Sequence, residues 1–185
     1  MTAARRRATR EDLLAVPDHM VGEILDGELV VHPRPAIPHA AATTALGEEL
    51  GPPFKRGRGG PGGWNILFEP ELHLGANVLV PDLAGWRRER MPELPATPAI
   101  ELAPDWVCEV LSPSTAAIDR AVKLPIYART GVVHAWLVDP LARTLEVLGL
   151  DAGSWRILAT WRDDAKVRAV PFDAIELELA ILWAR

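Results

Sequence analysis

One cysteine, Cys108, is all the sequence holds. An internal disulfide and a thiolate-rich zinc site are therefore excluded, and a reducing compartment, by default the cytoplasm, is expected. No apolar run approaches the roughly 18 residues of a membrane-spanning helix. The basic amino terminus MTAARRRATR runs into acidic and polar residues instead of the apolar core of a signal peptide. A soluble chain with no membrane partner follows. Positive charge is also in deficit: 20 lysines and arginines against 25 acids leave a net −5, so any nucleic-acid contact must come from local patches. The five histidines form no HExxH or other paired spacing, which argues against zinc catalysis. The glycine-rich stretch KRGRGGPGG lacks the closing Gly-Lys-Ser/Thr of a phosphate-binding loop and reads as a mobile connection. Repeats and linkers are missing too. A length of 185 residues suits one domain over residues 1–185, with 1–8 as a flexible basic arm.

What is present has a clear order. Thr9 followed by Asp12 predicts a short capped helix that Pro17 ends. Val21 to Leu25 and Glu28 to His32, joined by Asp26-Gly27, predict an amino-terminal β-hairpin with a type I′ turn. An alanine-rich helix is expected from Pro38 to Leu50, stopping at Gly51-Pro52-Pro53. Trp64 to Phe68, Glu71 to Leu74 and Asn77 to Trp86 read as strands, the last interrupted at Pro81, and a surface connection follows from Arg87 to Pro104. The period then changes. A strand at Asp105 to Leu111, a helix at Thr115 to Thr130 stopped by Gly131, and a strand at Val132 to Val138 predict a βαβ crossover with two buried parallel strands. Ser112-Pro113-Ser114-Thr115 is expected to supply a hydroxyl cap for that helix. Thr144 to Leu150, Trp155 to Trp161 and Lys166 to Val170 read as antiparallel additions, and Ile175 to Trp183 as a closing helix or strand. The fold class is α/β (α+β), with a central mixed sheet.

Glu109 is the most informative residue. It lies within the apolar strand WVCEVL, where an ionised carboxylate facing the interior costs several kcal/mol unless a cation, a metal or donors face it. Alternation puts Val107, Glu109 and Leu111 on one face and Cys108 and Val110 on the other. Asp82 follows the apolar run VLVP and marks an acid at a strand break. Taken alone, each has a plain alternative, a strand-end carboxylate in water and a turn-forming aspartate. Together, two acids on separate strands are suited to holding Mg²⁺ or Mn²⁺ with water and phosphate oxygens. Lys123 shares a helix face with Asp119 and Tyr127 at i,i+4 spacing, placed either to meet a phosphate or simply to pair with Asp119. Glu23, in GEILDGEL, either joins the metal site or faces solvent. Arginines 5, 6, 7 and 10, then Lys55, Arg56 and Arg58, then Arg87, Arg88 and Arg90 form three basic patches. Cys108 reads as a small buried hydrophobe and not a nucleophile.

GEILDGELVV, VLVPDL, WVCEVLSPST, the series Asp119, Lys123, Tyr127, Gly131 and the closing AWLVDP resemble, in that order, the Uma-two family of restriction-endonuclease-like proteins. The resemblance runs from about Glu11 to the carboxyl terminus. It implies the restriction-endonuclease-like core of the PD-(D/E)XK superfamily, a central mixed β-sheet between helices. It further implies that Asp82, Glu109 and Glu23 hold the metal, that Lys123 is a catalytic lysine moved from strand to helix, and that His39 matches a frequent histidine of the family. Two departures stand out: Leu111 occupies the position where the superfamily pattern has lysine, and His134-Ala135-Trp136 replaces an acid-tyrosine-tryptophan. The expected activity is metal-dependent endonucleolytic hydrolysis of DNA. The alternatives are a nuclease-fold module that binds nucleic acid or protein without turnover, and a homodimer whose main activity is self-association.

Overall fold

The computed structural model describes residues 6–183, so residues 1–5 of the expected basic arm lie outside the described residues. The remainder of that arm is docked: Ala8 N–H donates to Gly27 O at 2.8 Å, and Arg6 pairs with Asp12 at 2.6 Å. Helix α1 (Arg10–Leu14) begins at Thr9, whose hydroxyl and backbone amide exchange hydrogen bonds with Asp12 in a capping box. Strands β1 (Met20–Leu25) and β2 (Glu28–Pro33) form the expected hairpin. Its turn residues, Asp26 and Gly27, have φ of 51° and 87°, the left-handed pair that a type I′ turn requires.

Helix α2 (Ile37–Leu50) does not stop at Gly51-Pro52-Pro53 as the prolines suggest. It runs on through a π-helical turn, Gly51–Lys55. Two consecutive prolines cannot donate to the preceding turn, and the wider winding lets Arg56 N–H reach Gly51 O at 3.0 Å. Phe54 is carried into the core by this extension. The glycine stretch after it is pinned by backbone bonds from Arg58 to Pro52 and from Gly62 to Pro53, both at 2.8 Å.

Strands β3 (Trp64–Phe68), β4 (Leu72–Leu74), β5 (Asn77–Leu79) and β6 (Leu83–Arg87) follow, with Pro81 and Asp82 in the break between the last two. The segment from Arg87 to Pro104 is less superficial than its prolines imply, because Met91 and Ile100 are buried and Ile100 bridges to Leu72. Strand β7 (Trp106–Val110) then leads into a crossover made of α3 (Ala116–Ile118), a π-helical turn (Asp119–Lys123) and α4 (Leu124–Thr130). Gly131, at φ 86°, ends it in a left-handed cap. The hydroxyl cap expected at its start is not formed. Thr115 makes no side-chain capping bond, and Ser112 Oγ instead meets the hydroxyls of Ser114 and Thr115 at 2.9 and 3.0 Å. Strands β8 (His134–Asp139), β9 (Thr144–Asp151) and β10 (Ser154–Arg162) come next. The short pair β11 (Lys166–Val167) and β12 (Leu177–Glu178) and a 3₁₀ turn (Leu179–Leu182) close the described chain.

Six strands form the central sheet in the order β10-β9-β8-β7-β6-β3, with β7 and β8 parallel and the other pairs antiparallel. The hairpin is not isolated: β2-β1-β5-β4 make a second, antiparallel sheet. One face of the central sheet packs Trp106, Cys108 and Val110 with α2 and the carboxyl-terminal residues Phe172, Leu179 and Leu182. The other packs Val107 and Leu111 with the crossover helix and with Leu25, Leu72 and Leu79 of the small sheet. Glu109 is on this second face, as strand alternation requires. No described helix is long and apolar enough to cross a membrane.

Candidate active site

A cleft of about 250 Å³ opens between the β2 segment and the start of the crossover helix. Glu23, His39, Asp82, Glu109, Asp119 and Lys123 all line it. Every site residue expected from the sequence is thus brought to one place, each by a different element. β1 supplies Glu23, α2 supplies His39, the β5–β6 break supplies Asp82, β7 supplies Glu109 and the π-helical turn supplies Lys123.

Lys123 is the hub. It is 3% exposed, and its ammonium lies 2.8 Å from Glu109 Oε1, 3.2 Å from Glu23 Oε1 and 3.7 Å from Asp119 Oδ1. It also donates to Val80 O at 3.4 Å. Burial alone drives a lysine toward neutrality, but the surrounding carboxylates reverse that and hold Lys123 well above its ordinary value. The π-helical turn aims Asp119 and Lys123 at the same point, a common use of such turns.

Glu109 accepts a hydrogen bond from Tyr127 Oη at 2.6 Å as well as the contact from Lys123. Burial, with Asp119, Asp82 and Glu23 nearby, pushes its carboxyl well above the usual range in spite of Lys123. Asp119 is raised for the same first reason, burial. Glu23 goes the other way, to about 2: burial opposes ionisation, but Lys123, His32 and the Val80 N–H outweigh it. The Val80 amide donates to Glu23 Oε1 at 2.7 Å, and His32 Nε2 lies 3.4 Å from Oε2. Three buried carboxylates share one ammonium, so ionising all three at once is opposed by burial and by their mutual repulsion.

Asp82 completes the arrangement. Its Oδ2 accepts the Val110 N–H at 2.7 Å, and His39 Nε2 lies 3.2 Å from its Oδ1. The first bond ties the β5–β6 break to the residue directly after Glu109. The donor chemistry fits a hard divalent cation: carboxylate oxygens of Asp82, from the β5–β6 break, and of Glu109, from β7, line the same cleft. Among the described residues no group of three or more His, Cys, Asp or Glu is arranged to hold a metal. One or two carboxylates completed by water and phosphate oxygens is the mode in which Mg²⁺ is usually held.

Sequence reasoning missed His32 and Arg34, both on the cleft wall. The hairpin register, Val21↔His32 and Glu23↔Val30, sets His32 diagonally across from Glu23 on one face of the pair, a relation that the sequence alone does not give. Of the basic patches, Arg90 is paired to Asp105 at 2.8 Å, and Arg87 lies over the Trp64 ring at 4.7 Å. Cys108 is fully buried, and burial raises its thiol well above its ordinary value, which fits an inert side chain.

The chain matches a known family. The model of the Uma-two family, described as "Putative restriction endonuclease", matches residues 10–181. The chain belongs to the Uma-two family. A solved structure from Anabaena variabilis ATCC 29413, titled as a "putative nuclease belonging to DUF820", superposes with a TM-score of 0.75 at 23% identity. It covers 95% of this chain and 97% of its own. At that identity the likeness establishes the nuclease-like fold that this Uma-two chain shares. No protein of curated function matches.

Proposed function

We propose that this chain is an endonuclease that hydrolyses phosphodiester bonds of DNA with Mg²⁺ or Mn²⁺. One observation carries the reading. The Asp82 carboxylate is hydrogen-bonded to β7 one residue beyond Glu109, while Lys123 touches Glu109 from the crossover helix. Asp82 and Glu109 would hold the cation, whose chemistry when bound is to polarise the phosphate and acidify a water. Lys123 keeps its charge beside them and can orient the attacking water or offset charge on the phosphate. Glu23, expected among the metal-holding acids, has its oxygens engaged by Val80, Lys123 and His32, and serves here as the second counter-ion that fixes Lys123. Tyr127 orients Glu109 through its hydroxyl. Arg34, 59% exposed at the mouth, offers a guanidinium to a backbone phosphate.

The test is cleavage of duplex, branched and single-stranded DNA, with RNA alongside, in the presence of Mg²⁺ or Mn²⁺. Activity should appear with the metal, vanish with chelator and be lost in Asp82→Ala. No cleavage of any form, or full activity in Asp82→Ala, would overturn the proposal. A second reading, a binding module of the same fold without turnover, is favoured by the way Lys123 already satisfies Glu109, Glu23 and Asp119. Mn²⁺ titration separates the two, because only the nuclease reading requires binding that Glu109→Ala removes.

A further inference from the structure

His39 has no task in that chemistry, yet it occupies a costly position. It is in the first turn of α2, directly after Pro38, and is 9% exposed. Its Nε2 lies 3.2 Å from Asp82 Oδ1, whereas its Nδ1 is buried with no hydrogen-bond partner among the described residues. Buried polar atoms are nearly always satisfied, so an orphan one calls for an explanation. We infer that His39 is a positioning residue that orients the Asp82 carboxylate toward the cation, an assignment that rests on the reading of Asp82 and Glu109 as the acids that hold it.

Asp82 sits in a strand break after Pro81; its backbone carbonyl accepts the Glu69 N–H at 3.1 Å, but that bond does not fix the side chain. A single hydrogen bond, from Val110 N–H to Oδ2, leaves the carboxylate free to rotate about that contact. A second donor, from another element and to the other oxygen, fixes its plane and hence the direction of the lone pairs left for a cation. With its proton on Nε2 the imidazole supplies that donor, from a rigid helix turn that is 9% exposed at His39. An aliphatic side chain of similar size would avoid the orphan Nδ1, so packing does not account for a histidine here. Partners that orient the ligands of a metal typically change its affinity by about 10–100-fold.

Mn²⁺ binding to the full-length protein without DNA, followed by electron paramagnetic resonance, tests this directly. Asparagine places its amide nitrogen near the position of Nδ1 and glutamine near that of Nε2. His39→Asn and His39→Leu should therefore bind Mn²⁺ about 10–100-fold more weakly, while His39→Gln should stay within a few-fold of wild type. Adding His39→Asn to Asp82→Ala should weaken binding no further than Asp82→Ala alone. A merely structural histidine would lower the melting temperature of His39→Asn with Mn²⁺ affinity unchanged, and that result overturns the inference, as does a His39→Gln that matches His39→Asn. If His39→Leu does not fold, the asparagine and glutamine pair decides alone. Wild-type protein that binds no Mn²⁺ removes the cation reading and this inference together. Wild-type affinity in His39→Asn removes only the inference.

Discussion

The two faces of strand β7 differ more than any other neighbouring regions of the molecule. Toward α2, Trp106 packs edge-on against Trp136 and Phe172 at ring-centroid distances of 5.3 and 4.8 Å, in a layer that also takes in Trp64 and Phe54 through Phe172. Toward the crossover helix, the same strand presents Glu109 to Lys123, Tyr127 and the cleft. Both faces are buried, but the burial has different consequences. Aromatic packing adds stability through area and ring geometry, whereas an ion cluster of three carboxylates and one ammonium gives back in desolvation much of what it gains in attraction. A fold selected for stability alone has little reason to place this cluster in a closed strand, so the second face points to chemistry.

The largest effects should come from removing the hub of either face. Lys123→Met leaves Glu109, Glu23 and Asp119 buried without their cation and should destabilise by about 3–5 kcal/mol. Trp106→Ala should destabilise by a similar amount, about 3–5 kcal/mol. Urea unfolding would not separate the two faces; Mn²⁺ affinity measured on the folded fraction would. It should change in the lysine variant and stay at the wild-type value in the tryptophan variant. Equal responses would dissolve the contrast between the faces.

Glu109→Gln sharpens it further. The amide keeps an oxygen for Tyr127 and Lys123 and cannot ionise, which removes the burial penalty that raises Glu109, so stability at pH 7 should hold or rise by up to about 1 kcal/mol. Cleavage should nevertheless fall by roughly 100-fold or more. A variant that loses stability while remaining active would mean that the carboxylate serves the fold.

Acid unfolding gives a smaller, signed effect. Glu23 is depressed to about 2 from an ordinary 4.5, so the folded state prefers its ionised form. Its contribution is complete above about pH 4.5 and is lost as pH falls toward 2, with an upper bound of about 3 kcal/mol. Glu109 and Asp119, both raised, act in the opposite direction: they oppose folding when ionised and cease to do so once protonated. Comparing wild type with Glu23→Gln isolates the first contribution, and the stability gap between the two proteins should narrow between pH 4.5 and 2. A gap that is constant with pH would mean Glu23 is not held ionised by Lys123 and His32.

Much of this was legible in the residues. The Asp26-Gly27 turn located the hairpin, continuous apolar runs located β7 and β8, and the helical spacing of Ile118, Val122 and Ile126 located the crossover. Glu109 and Asp82 stood out because charge within or directly after an apolar run needs compensation, and Lys123 because it shares a helix face with Asp119 and Tyr127. What stayed hidden depended on long-range register. Glu23 read equally well as exposed until the pairing of Ile24 with Val78 joined the hairpin to a second sheet and brought Val80 N–H to its carboxylate. The extension of α2 past Pro52 was masked by local rules that are sound for α-helices and do not cover π-helical turns. His39 could be singled out, but its contact with Asp82 spans separate elements that only the packed fold brings together.

The smallest effect is predicted immediately beside the most consequential residue. Cys108 precedes Glu109 but points into the aromatic face, fully buried among Leu83, Val110 and Trp136. Cys108→Ala removes one sulfur atom from a packed layer and should cost about 1 kcal/mol by the transfer and cavity arguments that govern core truncations. Mn²⁺ affinity and cleavage rate should be unchanged, because Cys108 does not line the cleft. Chemical denaturation and Mn²⁺ titration of one preparation would check both halves. If so slight a change on the aromatic face weakens cation binding by even tenfold, the two faces are mechanically coupled through β7, and the separation of a stabilising side from a reactive side fails at its narrowest point.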